Sequence, residues 1–354
     1  MKPLKNYSSK NDDNICQIVA YKNNELLIEE YKNEFFKEDT LNIMSVTKSI
    51  TSLLIGIAID MGYIKSVDDY IMSYFKDYTP KRGEKTIYDI KIKHLLTMTA
   101  PSKGKSEPWK RICTSNDWTY TTLDILGGRT GVIGEFKYRT LIVQILFGII
   151  KNSTKMNVLD FANKYLFNPL GIEPRTSANC HNAKEQMDYV MNKKNHGKVW
   201  FLDPTNMPTA GWGLSLSAYE MAQIGLMVLN KGVYNNKRII SEDWINQIGK
   251  SYVSLDYQFG NQDYGYLWWL PHRTSDVIAA IGDGGNVIYV NYNKNIVVAI
   301  TGYFKPLVFD RIQYIEENIV KAIEYKNPWD YFSGFSFVLL GLFLIIFIIP
   351  VVKK

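Results

Sequence analysis

A serine and a lysine stand three residues apart near the start of the apolar segment "NIMSVTKSITSLLIGIAIDMGYI", residues 42–64. A serine hydroxyl is a weak nucleophile until a base takes its proton, and a lysine amine serves as that base only when burial or nearby positive charge lowers its pKa. On a helix, Ser45 and Lys48 lie on one face a single turn apart, so the amine can reach the hydroxyl. The apolar stretch 50–59 predicts a helix enclosed by protein, which partly desolvates Lys48. The pair therefore predicts nucleophilic catalysis by Ser45.

The start of this helix bears on how the serine would act. Asn42 is a suitable cap residue, which would place Ser45 in the first turn, where unpaired backbone N–H groups and the helix dipole favour negative charge. The competing interpretation is a capping serine and a surface lysine that fall in register by chance, because S-x-x-K is a short motif. The spacing alone leaves both interpretations open.

Three later stretches carry residues suited to the same chemistry: "IGEFKYRT" around Tyr138, "AGWGLSLS" around Trp212, and "IGDGGNVIYV". With "MSVTKS" they resemble, in order and in kind, the motifs of the serine β-lactamase and penicillin-binding-protein superfamily. The likeness is to its class C-related branch, which includes esterases, D-aminopeptidases and 6-aminohexanoate-dimer hydrolases. It covers roughly residues 10–325 of the chain.

The resemblance implies a role for each matched position in the first two motifs. Ser45 would be the nucleophile, Lys48 its base, and Tyr138 a carrier of the proton that the leaving group needs. The glycine-rich turn at 211–214, with Trp212, would shape the wall of the cleft. These roles require no cofactor.

The third motif has two possible interpretations. By the resemblance, Asp283 occupies a position that is cationic in the family, and Gly284 and Gly285 let the backbone approach the substrate closely. The backbone N–H of Asn286 would then join that of Ser45 in an oxyanion hole. The alternative is an ordinary hairpin turn, because "DGGN" is also favourable turn chemistry.

Two positions depart from the family pattern and bear on the substrate. Thr140 replaces an asparagine, which removes an amide that would bind a substrate amide. Asp283 replaces a lysine or histidine, and a carboxylate there repels the carboxylate of penicillins and of peptidoglycan stem peptides. At about 4 Å the mismatch costs on the order of 1 to 4 kcal/mol, depending on solvation. Neutral esters or amides, or substrates with a free amine, fit better.

The leading hypothesis is a membrane-anchored serine hydrolase that cleaves a small or peptide-like ester or amide through an acyl-enzyme on Ser45. One alternative is a non-catalytic, membrane-tethered binding module that keeps the cleft. A second alternative is a β-lactamase or DD-peptidase proper. A pure binder gains nothing from a buried lysine, which favours the enzyme.

The pattern of elements predicts an α+β fold with an antiparallel sheet flanked by helices. Strands at 15–21 and 25–31 form a hairpin, and "DVIAAIGDGGNVIYVNYNKNIVVAITGYF" reads as three antiparallel strands. Because strands are predicted near both ends of the chain, we expect the first and the last strands to belong to one antiparallel sheet. A polar tail would occupy 1–12, the hydrolase domain 13–326, and an inserted all-α subdomain about 86–250.

The uncharged run 332–352 is long enough, at about 1.5 Å per residue, to cross a hydrocarbon core of about 30 Å. Trp329 and Tyr331 precede it and Lys353 and Lys354 follow it, as interfacial residues often do. The sequence therefore predicts a single-pass membrane protein anchored by its tail. The two final lysines and the polar start give opposite indications of which side the catalytic domain occupies.

Bulk composition excludes several other classes of protein. The chain has 354 residues, 46% of them hydrophobic, and a formal charge of +6 without a block of like charges, so no nucleic-acid partner is predicted. Cys16, Cys113 and Cys180 show no C-x-x-C spacing, and the four histidines are scattered. We therefore predict neither a disulfide framework nor a metal site.

Overall fold

The computed structural model of the chain describes residues 12–81, 83–128, 131–178, 183–308 and 310–324. In these ranges one eight-stranded sheet and three two-stranded sheets are present. The strands are β1 Ile15–Lys22, β2 Glu25–Tyr31, β3 Leu41–Asn42, β4 Thr176–Ser177, β5 Val199–Trp200, β6 Ser215–Leu216, β7 Val233–Tyr234, β8 Lys237–Arg238, β9 Val253–Ser254, β10 Asp263–Tyr264, β11 Trp269–Leu270, β12 Val277–Gly282, β13 Asn286–Asn291 and β14 Ile296–Gly302.

The large sheet has the strand order β2-β1-β14-β13-β12-β11-β10-β9, and its strands pair antiparallel. The predicted hairpin is confirmed, and both turn residues, Asn23 and Asn24, have the positive φ that a tight two-residue turn requires. The three predicted later strands are confirmed as β12, β13 and β14. Because β1 pairs with β14, the first and last strands close one sheet, as predicted.

The helices lie mostly between the hairpin and the last three strands. The α-helices are α1 Val46–Asp60, α2 Ile92–Leu96, α3 Trp109–Cys113, α4 Trp118–Leu123, α5 Gln144–Thr154, α6 Val158–Ala162, α7 Ala183–Met191, α8 Ala218–Leu229, α9 Glu242–Ile248, α10 Arg311–Tyr314 and α11 Lys321–Glu324. Shorter 3₁₀ segments are Ile71–Tyr74, Thr86–Asp89, Leu141–Val143, Asn168–Leu170, Tyr257–Phe259 and Asp283–Gly285, and π-helical segments are Asn163–Phe167 and Ile315–Val320.

Two helices pack on the sheet and place the site. In α1 every residue from Val46 to Ala58 is buried, including the lysine and four hydroxyl side chains of its first half, so the helix is enclosed by protein as predicted. In α8, Gly225 permits close approach to β14, since a Cβ at that position would lie 2.5 Å from a methyl carbon of Val297. Strand β14 is buried along its whole length, which explains its continuous apolar run.

The prediction of an all-α subdomain over 86–250 is wrong. This range holds α2 to α9, but it also contributes the short strands β4 to β8. One of them, β6, pairs with β3 and so ties Leu41 and Asn42 to Leu216 and Ser215. Two-residue strands leave no period-2 hydrophobic pattern for sequence reasoning to detect. The domain limits 13–326 stay a prediction.

The predicted membrane-spanning helix and single-pass location also need correction. The longest α-helix in the described ranges, α1, has 15 residues, whereas a membrane span needs about 20. No helix in the part of the chain that the structure describes is long and apolar enough to cross a membrane. The run 332–352 lies outside the described residues. We therefore correct the fold class to a mixed α/β fold built on an antiparallel sheet, with no membrane helix assigned.

Candidate active site

The serine lies at the point where α1 begins. Ser45 is the N-cap residue of α1 and not part of its first turn, which corrects the expectation that Asn42 caps the helix. Asn42 instead ends β3, and its side-chain oxygen accepts a 3.0 Å hydrogen bond from the Met44 N–H. Met44 has a φ of 52°, which is uncommon for a residue with a side chain. The backbone is thus sharply turned immediately before Ser45.

The position of Lys48 distinguishes a buried contact with Ser45 from a surface lysine that falls in register by chance. The Ser45 hydroxyl does not cap the helix. It instead accepts a 2.7 Å hydrogen bond from the Lys48 amine, which also donates to the Gly211 carbonyl at 2.8 Å. Lys48 is 1% exposed, so it is not a surface lysine. The arrangement predicted from the three-residue spacing is present in the fold.

Burial changes the protonation of Lys48. Removal from water disfavours the ammonium form and lowers the pKa of Lys48 to about 7, although the carboxylates of Glu107 and Asp283 oppose this shift. Near neutral pH, a substantial fraction of the amine is therefore uncharged. An uncharged amine at 2.7 Å can accept the Ser45 proton, whereas an ammonium cannot.

Tyr138 also contacts Ser45. Its phenol shares a hydrogen bond with Ser45, and its ring centroid is 5.0 Å from the Lys48 amine nitrogen. The ring stacks on Trp269 at 5.7 Å, which fixes its orientation. Burial raises the pKa of Tyr138, with smaller contributions from Asp283 and Glu107. The phenol therefore keeps its proton at neutral pH and can donate it.

The Gly211 turn and Thr140 support the lysine. A Cβ built on Gly211 would lie 2.7 Å from the Thr140 carbonyl oxygen, so only glycine allows this approach. The approach holds the Gly211 carbonyl beside Lys48. Trp212 follows at once and stacks on Trp118 at a centroid distance of 5.8 Å. Thr140 thus contacts the turn that binds Lys48, and Trp212 lies on the same side of the cleft.

The turn at 283–285 is held by buried polar side chains. Asn286 is fully buried, and its amide donates to the Asp283 carbonyl at 2.8 Å while its oxygen accepts from the Gly302 N–H. Asn14, also fully buried, donates to the Gly284 carbonyl at 2.7 Å. Gly284 and Gly285 have φ values of 77° and 79°, which favour glycine. The turn is therefore rigid, and the Asp283 side chain is exposed on it.

Sequence reasoning missed the strand residue that lies against the Ser45 backbone. A Cβ added to Gly282, the last residue of β12, would lie 2.3 Å from the Ile43 carbonyl oxygen and 3.1 Å from the Ser45 backbone nitrogen. Gly282 is paired with Asn286 across the hairpin. A glycine where a strand ends beside a helix start is the signal that could have indicated this close approach.

Sequence reasoning also missed Glu107, which lies near the serine in space but far from it in sequence. Its carboxylate accepts a 2.6 Å hydrogen bond from the Leu141 N–H, three residues after Tyr138. Its charge raises the pKa of both Lys48 and Tyr138. No motif marks it in the loop 101–108.

The described ranges bring no three His, Cys, Asp or Glu side chains close enough together to hold a metal ion. The chemistry that the site supports uses a serine, an uncharged amine and a phenol around one hydroxyl oxygen. These are the groups that nucleophilic catalysis by a serine requires.

Comparison with known proteins identifies the family. The Beta-lactamase family model matches residues 18–306, and the chain belongs to that family. It is 22% identical over 313 residues to the 6-aminohexanoate-dimer hydrolase of Paenarthrobacter ureafaciens, a match that covers 81% of this chain and 72% of the relative. The protein is a serine hydrolase related to β-lactamases, as the sequence motifs predicted.

Solved structures share the fold. The octameric penicillin-binding protein homologue from Pyrococcus abyssi superposes with a TM-score of 0.64 at 20% identity, covering 88% of this chain and 74% of that chain. A D-stereospecific amidohydrolase from Streptomyces sp. gives a TM-score of 0.62 at 12% identity, covering 87% and 94%. At these identities the likeness establishes the fold.

Proposed function

We propose that Ser45 is the nucleophile of this hydrolase and that it cleaves an ester or amide through a covalent acyl-enzyme. The observation that carries the proposal is the 2.7 Å contact between the Ser45 hydroxyl and the buried amine of Lys48. Uncharged Lys48 takes the hydroxyl proton as the Ser45 oxygen attacks the substrate carbonyl. Lys48 and Tyr138 then return a proton to the leaving alcohol or amine, and water releases the acyl group.

The oxyanion that forms during attack needs backbone donors. The Ser45 N–H is one, at the start of α1, where backbone N–H groups lack partners within the helix. The second donor predicted from the sequence, the Asn286 N–H, stays a prediction. The close approach of Gly282 to the Ser45 nitrogen supports a donor from the residues that follow Gly282.

The charge of the site favours neutral or amine-bearing substrates. The exposed carboxylate of Asp283 forms no ion pair with any of the described residues, so it repels the carboxylate of a penicillin or a stem peptide. One relative is named for hydrolysis of the 6-aminohexanoate dimer, an amide, and a structural neighbour is described as an amidohydrolase. These names support an ester or amide substrate.

Burst kinetics with a 4-nitrophenyl ester test the nucleophile. We expect wild-type protein to release 4-nitrophenol in a burst and to gain the acyl mass, and Ser45→Ala to lose both. Ser52→Ala is the matched control, because Ser52 is a buried serine of the same helix whose hydroxyl has no hydrogen-bond partner in the described ranges. A burst of equal size in Ser45→Ala would refute the assignment.

The two alternative functions predict different results with other probes. A non-catalytic module would not be labelled at Ser45 by a fluorophosphonate of similar size to the ester. A β-lactamase proper would turn over nitrocefin rapidly. We expect labelling at Ser45 and slow or absent nitrocefin turnover, because the motif resemblance puts Asp283 at the position where the family binds the β-lactam carboxylate.

A further inference from the structure

The carboxylate of Glu107 has no part in the steps proposed above, although it faces the same lysine and tyrosine. One of its oxygens is bound to the Leu141 N–H at 2.6 Å, which fixes the side chain beside the cleft. In the described ranges this carboxylate forms no ion pair. A fixed and unpaired carboxylate beside a reactive centre attracts positive charge.

Three of the cationic side chains on the segments around Glu107 have other partners. Lys103 pairs with Glu84 at 3.0 Å, Arg111 pairs with Asp124 at 2.8 Å, and Arg139 donates to the Lys105 carbonyl at 2.8 Å. The side chains of Lys105 and Lys110 are exposed on the same segment. In the described ranges none of these five cations forms an ion pair with Glu107, so a ligand cation can approach its carboxylate.

Two tryptophans lie on the segments that flank Glu107 and the Gly211 turn. The backbone N–H of Trp109 donates to the backbone carbonyl of Glu107 at 3.0 Å, where α3 begins. The Trp109 ring lies 5.0 Å from that of Trp212, at 72°. Trp109 is 42% exposed, and Trp212 follows Gly211, whose carbonyl binds Lys48. Trp118 covers one face of Trp212, whereas Trp109 is exposed to solvent. Indole is the aromatic group that binds cations best.

We propose that Glu107, Trp109 and Trp212 form a subsite for a cationic group of the substrate, an ammonium or a quaternary ammonium. The inference rests on the proposed function, because the subsite is defined by its position beside Ser45. The proposal makes Glu107 a second residue, besides Asp283, that selects substrates by their charge. The subsite combines a carboxylate with aromatic faces, and both attract a cation while neither attracts a carboxylate.

Matched esters that differ only in charge test the subsite. The first series is the 4-nitrophenyl ester of hexanoate, of 6-(trimethylammonio)hexanoate and of adipate as its monoester, which varies charge on the acyl side. The second pair is butyrylcholine and 3,3-dimethylbutyl butyrate, which varies charge on the alcohol side. The ratio of kcat/KM for the cationic and neutral members is the readout, because general effects on the chemistry cancel in it.

We expect the cationic member to be preferred roughly 3- to 30-fold in at least one series. Glu107→Gln keeps an acceptor for the Leu141 N–H and should bring the ratio close to 1. Trp109→Leu, a change at an exposed position, should lower the same ratio independently. Glu173→Gln removes an exposed carboxylate that pairs with Lys198 and should leave the ratio unchanged.

The outcomes separate this inference from the proposed function. If wild-type protein hydrolyses the esters through Ser45 but the ratio is near 1 in both series, the subsite is refuted and the hydrolase stands. A preference for the cation that survives Glu107→Gln and Trp109→Leu also refutes it. If no ester is hydrolysed faster by wild type than by Ser45→Ala, the proposed function itself fails.

Discussion

Burial of a single amine determines the chemistry of this site at neutral pH. Lys48 is enclosed by α1 and the Gly211 turn, and its pKa falls to about 7 because the charged form loses hydration. An ordinary lysine, with a pKa near 10.5, would be almost fully protonated and unable to serve as a base. Burial also raises the pKa of Tyr138, so the proposed base and the proposed acid differ in protonation at neutral pH.

The lowered pKa gives a testable pH profile. We expect kcat/KM for a neutral ester to rise with pH through about 7, as Lys48 loses its proton. Lys48→Arg should reduce kcat/KM by about 100-fold or more, because a guanidinium stays protonated. Stopped-flow assays between pH 5 and 9 check both. A flat profile, or a Lys48→Arg variant of normal activity, would contradict the role of Lys48.

The lowered pKa of Lys48 also determines how the unfolding free energy changes with pH. Between pH 7 and 10.5 the unfolded chain holds the Lys48 proton more tightly than the folded protein does. The free energy of unfolding contributed by this group therefore increases as pH rises through that window, and is lowest below about pH 7.

At the scale of elements, the site depends on how the turn between β12 and β13 is held. Asn286 and Asn14 bind the carbonyls of Asp283 and Gly284, and Arg311 donates to the Asn14 oxygen at 2.8 Å. These groups come from opposite ends of the domain and are buried together. A buried hydrogen-bond network of this kind fixes the position of the backbone that it binds.

Asn286→Ala tests this positioning against Asn291→Ala. Both asparagines are buried and hydrogen-bonded in β13, but Asn291 lies at the other end of the strand and bonds to Tyr289 and Lys294. We expect each variant to lose about 1–3 kcal/mol of unfolding free energy, measured by urea denaturation. Only Asn286→Ala should also lower kcat for a neutral ester, by roughly 10- to 100-fold. Equal kcat values in the two variants would show that the turn is not positioned by Asn286.

For the whole molecule, the decisive feature is the pairing of the first strand with the last. Ile18 in β1 lies opposite Ile300 in β14, and both are fully buried. A sheet closed by its two terminal strands cannot form until nearly the whole domain has been made. The same closure brings Asn14 and Arg311 to the turn beside the nucleophile.

A double-mutant cycle measures this closure. We expect Ile18→Ala and Ile300→Ala each to cost about 2–5 kcal/mol of unfolding free energy, with a coupling of about 0.5–1 kcal/mol between them. The pair Ile18 and Ile149 is the control, because Ile149 lies in the large core cluster to which Ile18 does not belong. Additive effects for Ile18 and Ile300, within about 0.3 kcal/mol, would contradict direct pairing.

Sequence reasoning identified the elements that carry their own local pattern. The hairpin at β1 and β2, the apolar helix α1 and the strands β12 to β14 follow from periodicity and turn residues. The pairing of β3 with β6 does not follow from the sequence, because a strand of two residues is too short to show an alternating hydrophobic pattern. The all-α subdomain failed for this reason, and the membrane helix was inferred from a run outside the described residues.

The sequence by itself determined that Ser45 and Lys48 could meet, because three residues on a helix fix their separation. It also determined the family, through motifs whose order is readable along the chain. Only the tertiary structure decided that Lys48 is buried, that Tyr138 and Glu107 face it, and that Gly282 lies against the Ser45 backbone. Those contacts join segments tens to hundreds of residues apart, and their geometry depends on the packing of the whole sheet and its helices, which no local pattern encodes.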